Sequence, residues 1–250
     1  MLIIKEWYGR LGNNIDQISN VIDIALTYKH NIVFKVEHKL FNLKIIIDYF
    51  NKYSNSIIIT DKHNFFGENC RLLYPKNTFG NNNELKHKLM KESFMIKDIN
   101  KLDDYDLVIH IRSGDIFKLR PHPNYVPPPL SYYTKQIDKH NFKRIIIVCE
   151  DNINPVVNKL LELYDNAIHR INTLEEDIKI LLGATNIMFS IGTFVPSLMM
   201  LSDNIKFIYD IFVDSEGIQN YYTVMKPWKN TKKQRDYILN YIYNPLDTDV

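Results

Sequence analysis

Nowhere in the 250 residues is there an apolar run of about 18 or more, the length a helix needs to cross a bilayer, so no membrane span is expected. The opening MLIIKEWYGRLGNN has an apolar stretch too short for a signal peptide, and no small-residue cleavage site follows it. It reads as a first strand, and the sequence as that of a complete, soluble, cytoplasmic protein. Cysteine is scarce. Cys70 and Cys149 stand far apart and fit no metal spacing, which favours free thiols in a reducing compartment over a single disulfide. Charge of one sign is lacking too. The 31 basic and 29 acidic residues leave a net +2, too weak a bias for a nucleic-acid partner. There is no internal repeat and no low-complexity tract. What is present is ordinary for a globular protein, 45% hydrophobic and 24% charged residues, on a chain long enough for one large domain or two small ones.

Periodicity organises the chain into strands alternating with helices. Strands are predicted at 2–6, 31–36 and 56–60, with helices at 15–29, 43–49 and 84–95 and a loop over 62–83. The polar passage KDINKLDDY, 97–105, marks a boundary between domains 1–104 and 105–250. The second half repeats the rhythm. Its strands are predicted at 106–111, 144–149, 167–170, 186–190 and 205–209, and its helices at 131–139, 154–164, 175–183, 193–201 and 231–242. The last of these helices packs either on its own domain or back on the first. Several strands are apolar on both faces, which implies parallel sheets covered by helices. Ligands of such sheets bind beyond the carboxyl ends of the strands.

Three polar clusters fall at those ends. YGRLGNN, 8–14, follows the first strand, and its glycines allow close backbone approach to a ligand or simply a tight turn. It is neither GxGxxG nor a phosphate-binding P-loop. HIRSGD, 110–115, ends the strand of the second half. Arg112 is suited to a pyrophosphate, being planar, permanently charged and able to bond two oxygens. Asp115 is either a base or an orienter for Arg112, and a purely structural ion pair is the alternative. His110 lies on the same strand face as Arg112. FSIGTF, 189–194, offers the hydroxyls of Ser190 and Thr193 and the backbone N–H of Gly192 at a helix start, an anion cradle or ordinary capping by Thr193. Asp104 and Asp106 match Asp-x-Asp literally but read as the polar lead-in to a strand, so no metal site is expected. Tyr132 and Tyr133 are either stacking platforms or core. KPWKNTKKQR, 226–235, reads as a solvated helix start.

Together the clusters resemble the GDP-fucose-dependent fucosyltransferases, most closely the α-1,2 type. HIRSGD resembles that family's H-x-R-x-G-D element, GRLGNN its N-terminal G-x-L-G-N-Q loop, and PLSYY, 129–133, its Pro-Leu-x-Tyr-Tyr segment. EDIKILLGATNIMFSIGTF, 176–194, resembles its run of Asp, helix, strand and Asn-Ser-Ser/Thr-Phe-Ser. The likeness covers residues 2 to about 201 in order. Asn14 stands for the family's Gln, Ser113 for a frequent second Arg, and VPSL for Ser-Trp-Trp. The resemblance implies a GT-B-like pair of Rossmann-like α/β domains facing across a cleft, the first binding a glycan acceptor and the second a nucleotide-sugar donor. It implies an inverting, metal-independent glycosyltransferase without cofactor, using GDP-fucose. Arg112 would bind the β-phosphate and Asp177 the guanine edge. Thr193, Ser190, Gly192 and Phe194 would hold the pyrophosphate, with His110 lining the pocket. Gly12 and Asn13 would close the site, and Arg10 and Asn14 would face the acceptor. Asp115 is the first candidate base. The rivals are a transferase for another nucleotide sugar and a non-catalytic nucleotide-sugar- or glycan-binding protein.

Overall fold

The computed structural model describes residues 1–53, 57–62, 64–80, 83–210 and 215–242. In chain order its strands are β1 (Leu2–Ile4), β2 (Ile32–Phe34), β3 (Asp106–His110), β4 (Arg144–Val148), β5 (Ala167–His169), β6 (Asn186–Phe189) and β7 (Phe207–Asp210). The helices are α1 (Leu11–Tyr28), α2 (Leu43–Phe50), α3 (Gly67–Leu72), α4 (Asn83–Ser93), α5 (Leu130–Lys139), α6 (Pro155–Leu163), α7 (Leu174–Gly183), α8 (Phe194–Met199), α9 (Ser215–Met225) and α10 (Lys232–Asn240). The chain divides into two compact units. One is 1–98 with 193–201, the other 99–192 with 202–250. The segment 193–201 thus clusters with the first unit, not with the residues that flank it. Among the described residues no helix is long and apolar enough to cross a membrane.

In the first unit, β1 and β2 pair in parallel, Leu2 with Ile32 and Ile4 with Phe34. The sheet is smaller than predicted. Of the strand expected over 56–60, residue 56 lies outside the described residues, and the rest makes a single parallel bridge, Ile59 to Leu2. Ile57 and Ile58 have no cover and stay exposed, so burial does not extend the strand. The loop expected over 62–83 contains α3 and a short 3-10 turn, Lys76–Thr78.

Helix α1 buries Ile15, Ile18, Ile22 and Ala25 at helical spacing, as the pattern predicts. It also buries a polar row that the pattern conceals. Gln17 accepts from the Tyr8 N–H at 2.8 Å and donates to the Asn64 carbonyl at 2.9 Å. Asn20 donates to the Phe65 carbonyl at 2.9 Å. Asp23 is paired with Lys86 at 2.8 Å, both buried. Burial pushes the Asp23 carboxyl above the ordinary carboxylate range, against the pull of Lys86. These bonds tie distant loop segments to one helix face, since a buried polar group without a partner is costly.

The second unit is built on a five-stranded, wholly parallel sheet in the order β5-β4-β3-β6-β7. β3 lies at the centre because Leu107, Val108 and Ile109 are buried on both faces. The chain leaves β3 toward β4 and β5, then crosses back to β6 and β7. The direction reverses between β3 and β6, and such a reversal opens a crevice beyond the carboxyl ends of the two strands. α10 packs on α5 and α6 of its own unit. Tyr132 and Tyr133 are core: both are fully buried, and the Tyr132 hydroxyl donates to the Tyr209 carbonyl at 2.8 Å.

Candidate functional site

Arg112 and Ser190 follow the two strands on either side of the reversal. Their backbones lock together. The Arg112 N–H donates to Ser190 Oγ at 2.8 Å, and the Ser190 N–H donates to the His110 carbonyl at 3.0 Å. The Ser190 hydroxyl is therefore a clamp between strand ends. The next turn is fixed from the β4 side. The Asn154 side-chain amide donates to the Arg112 carbonyl at 3.0 Å, its backbone N–H reaches Ser113 Oγ at 3.2 Å, and the Ser113 hydroxyl donates to Asp151.

Three groups hold the guanidinium of Arg112. Asp115 accepts from Nε at 3.2 Å and from Nη2 at 2.8 Å. The Tyr125 ring covers one flat face, 4.0 Å from its centroid to Cζ. Nη1 points toward Gly192, where an added Cβ would stand 2.8 Å from it. Gly192 also has φ +113°, which L side chains rarely adopt. The Arg112 side chain keeps 19% exposure, so this partly desolvated cation stays within reach of solvent. Of the two roles open to Asp115, orienter fits this geometry better. Both of its oxygens already accept from Arg112, and a proton-accepting role would require that pair to break. His110 closes β3. Burial, and then the Arg112 charge, lower its imidazole to about 4, so the ring is neutral at physiological pH.

Gly192→Ala is expected to strain the backbone by about 1–3 kcal/mol and to displace Arg112 from its seat. Calorimetric titration with GDP, beside a thermal melt, checks this. An alanine variant with unchanged affinity removes the steric argument.

Asp177 stands in the first turn of α7, which opens with a Thr173–Glu176 capping box. Its Oδ1 accepts from the Asn172 side-chain amide at 3.0 Å. Burial raises its carboxyl above the ordinary range, with Asn172 and His169 pulling the other way. α7 follows β5, and β5 lies two strands from β3, a lateral separation of about 10 Å. Asp177 is thus on the same end of the sheet as Arg112 without belonging to its cluster.

The remaining expected residues gather in the first unit. Leu11 to Asn14 are helical, not loop, so YGRLGNN is a loop only up to Arg10. Gly12 does not face open space. A Cβ there would stand 2.7 Å from the Phe194 nitrogen and 2.7 Å from the Thr193 carbonyl carbon, so its hydrogen lets α1 lie against the start of α8. Thr193 makes no side-chain capping bond; its hydroxyl donates to Asn13 Oδ1 at 2.6 Å. Arg10 is the exposed N-cap of α1. Asn14 is buried and engages both ends of its amide inside the unit, with the Tyr8 carbonyl at 3.3 Å and His38 Nε2 at 3.4 Å. That leaves it poorly placed for the expected acceptor role.

Two residues with a part in the Arg112 cluster escape sequence reasoning. Tyr125 contacts both Arg112 and His122, its ring centroid 4.7 Å from that of the histidine. The available signal was an aromatic in the proline-rich loop just after the arginine. Trp228 lies in the stretch read as a solvated helix start, yet it is fully buried. Its Nε1 donates to the Ile116 carbonyl at 2.6 Å and its N–H to the Pro123 carbonyl at 2.9 Å, bracing the loop that carries Asp115 and Tyr125. The Asp-x-Asp carboxylates point to cations, Asp106 to Arg144 and Asp104 to Lys101 and Lys206. Among the described residues no group of three His, Cys, Asp or Glu side chains is placed to hold a metal ion.

No protein-family model and no curated protein matches the chain. Among solved structures it is similar to POFUT1 in complex with GDP, at 11% identity and a TM-score of 0.48 over 83% of this chain and 97% of that one. It is also similar to NodZ alpha-1,6-fucosyltransferase soaked with GDP-fucose, at 8% identity and a TM-score of 0.40 over 80% of this chain and 92% of that one. Likenesses of this depth carry no weight for the activity, which is argued from the residues.

Proposed function

We propose that this protein is a glycosyltransferase that takes L-fucose from GDP-fucose and transfers it, with inversion and without a metal, to a hydroxyl of a glycan. The observation that carries the reading is the Arg112 guanidinium. It is pinned by Asp115 and Tyr125 beyond the central strand where the sheet reverses, within the HIRSGD segment that resembles the fucosyltransferase motif. Breaking a sugar–diphosphate bond requires charge to be neutralised on the leaving group. A preorganised guanidinium does this without moving, which is the efficient form of electrostatic catalysis. Asp115 holds Arg112 in place, and Tyr125 keeps water from one face of the cation. Asp177 accepts from the donor edge of the guanine, at the start of a helix that follows a strand two places from β3. The incoming hydroxyl attacks the anomeric carbon in line with the departing GDP, which takes the electron pair of the broken bond, and the hydroxyl's proton passes to solvent.

The test is calorimetric titration of GDP, GDP-fucose, GDP-mannose and UDP-galactose with EDTA present, followed by turnover of the donor that binds. GDP and GDP-fucose are expected to bind in EDTA while UDP-galactose does not, and GDP is expected to be released when a glycan acceptor is added. Absence of guanine-nucleotide binding sinks the reading. Preference for a different nucleotide sugar leaves a transferase with another donor. Binding without turnover on any glycan points to the non-catalytic alternative.

A further inference from the structure

The first unit contains a pocket of about 440 Å³ beyond the carboxyl end of β2. Its walls include Phe34, Glu37, Phe41, Asn42, Lys44 and Met95. That volume is in the range of small-molecule sites, about 300–1,000 Å³.

The wall is built in advance. Trp7 stands behind it, with its ring stacked on Phe34 at 5.9 Å and its Nε1 donating to the Glu37 carbonyl at 2.7 Å. His38 packs edge-to-face with Trp7 at 4.9 Å and with Phe41 at 5.2 Å. Its Nδ1 accepts from the Leu40 N–H at 3.1 Å, which leaves Nε2–H to donate toward Asn14 and holds the turn shut. The Asn42 N–H donates to the Ser93 carbonyl at 2.7 Å, and the Met95 N–H to the Leu40 carbonyl at 2.9 Å. A site fixed by so many internal bonds loses little freedom when a ligand arrives.

The chemistry of the wall selects the ligand. Phe34 and Met95 supply apolar surface, Met95 being 52% exposed, with the buried Phe41 beneath them. Glu37 supplies an acceptor, Asn42 both a donor and an acceptor, and Lys44 a donor already shared with Asp48 at 2.8 Å. Lys35, which also lines the wall, offsets the charge of Glu37, and Lys44 is paired with Asp48, so the lining offers a phosphate no net positive charge. A wholly apolar ligand would bury these polar groups at a loss. A pyranose ring has an apolar C–H face and a rim of hydroxyls that both donate and accept, which matches a wall of mixed sign.

We propose that this pocket binds a neutral pyranose residue, its C–H face on Phe34 and Met95 and its hydroxyls on Glu37 and Asn42. Taking that sugar to be part of the glycan acceptor rests on the transferase reading; the saccharide site itself does not.

The chain has only two tryptophans, and Trp7, bonded to Glu37 and stacked on Phe34, reports the pocket wall through its indole N–H resonance, with Trp7→Phe for assignment. The full-length protein is titrated with methyl β-galactoside, methyl β-N-acetylglucosaminide and lactose, with inorganic phosphate as control. The Trp7 resonance is expected to move saturably with at least one saccharide, while Trp228 stays fixed. Glu37→Ala and Asn42→Ala, both at exposed positions, are expected to weaken that binding about tenfold or more, the equivalent of about 1.4 kcal/mol. GDP affinity by calorimetry is expected to stay unchanged in both variants. The proposal falls if no saccharide moves Trp7, if phosphate alone moves it, or if the saccharide response survives both substitutions. Loss of GDP binding in the wild type, with the saccharide response intact, overturns the transferase reading and leaves the saccharide site standing.

Discussion

Arg112→Ala is expected to weaken GDP and GDP-fucose binding by roughly 10- to 150-fold, because removing a charged hydrogen-bond partner costs about 1.5–3 kcal/mol. The local geometry pushes the loss toward the upper end. Asp115 accepts from Arg112 through both of its oxygens, at 3.2 and 2.8 Å. Without the guanidinium, that carboxylate is left where the diphosphate should bind, and repulsion adds to the missing attraction. Removing it as well is expected to recover part of the affinity, so that Arg112→Ala with Asp115→Ala is less harmful than the sum of the two single losses. Residues in one ion pair are expected to couple in this way. Arg112→Lys is expected to rescue little. An ammonium cannot bond both Asp115 oxygens through a planar fork, lie flat beneath Tyr125 and still present a third edge. Calorimetry on the wild type and the four variants, Asp115→Ala among them, decides the matter, with thermal melts to establish that each is folded. An alanine variant that binds GDP as tightly as wild type would remove Arg112 from the donor site.

The parts of this molecule that could be read from sequence are those whose cause is local. Val108, Ile109 and Ile145 to Ile147 are apolar on both strand faces because helices cover both sides, and that burial writes itself into the chain as a continuous run. The polar break after each run then locates the loops at the carboxyl ends. HIRSGD and SIGT were found for that reason, and the structure ties their strand ends together through Ser190. What could not be read depends on partners far away in sequence. Leu11 starts a helix on an Arg10 that supplies no side-chain cap, so no capping residue announces it. Gly12 looks like a ligand-facing glycine until α8 is found against it. Nothing local announces the inward bonds of Asn14, Gln17 and Asp23, because their partners lie near residues 38, 64 and 86. The cation face of Arg112 was visible from the sequence, whereas the ring that covers it was not. In the Lys-rich stretch the surrounding charges hid the one side chain that is buried completely.

That side chain carries the second large expectation. Trp228→Ala is expected to destabilise the second unit by about 3–5 kcal/mol, the usual cost of emptying a buried aromatic site. At about 2–4 °C per kcal/mol for a domain of this size, its melting temperature should fall by roughly 10 °C. Two contributions combine here, and they can be separated. The indole packs edge-on against Phe117, with centroids 5.6 Å apart, and its Nε1 donates to the Ile116 carbonyl at 2.6 Å. Trp228→Phe keeps most of the packing and removes the donor, so it should cost less, about 1–3 kcal/mol for an orphaned carbonyl. The functional consequence is sharper than the stability figure. Ile116 and Phe117 follow Asp115 in the same short 3-10 turn, and the Trp228 backbone holds Pro123 just before Tyr125. Loosening this support should let both partners of Arg112 drift and weaken GDP binding, even at temperatures where the Phe variant remains fully folded. Melting and calorimetry on the two variants test the argument. If Trp228→Phe binds GDP as wild type does, the indole hydrogen bond supports the fold and leaves the seat of Arg112 untouched.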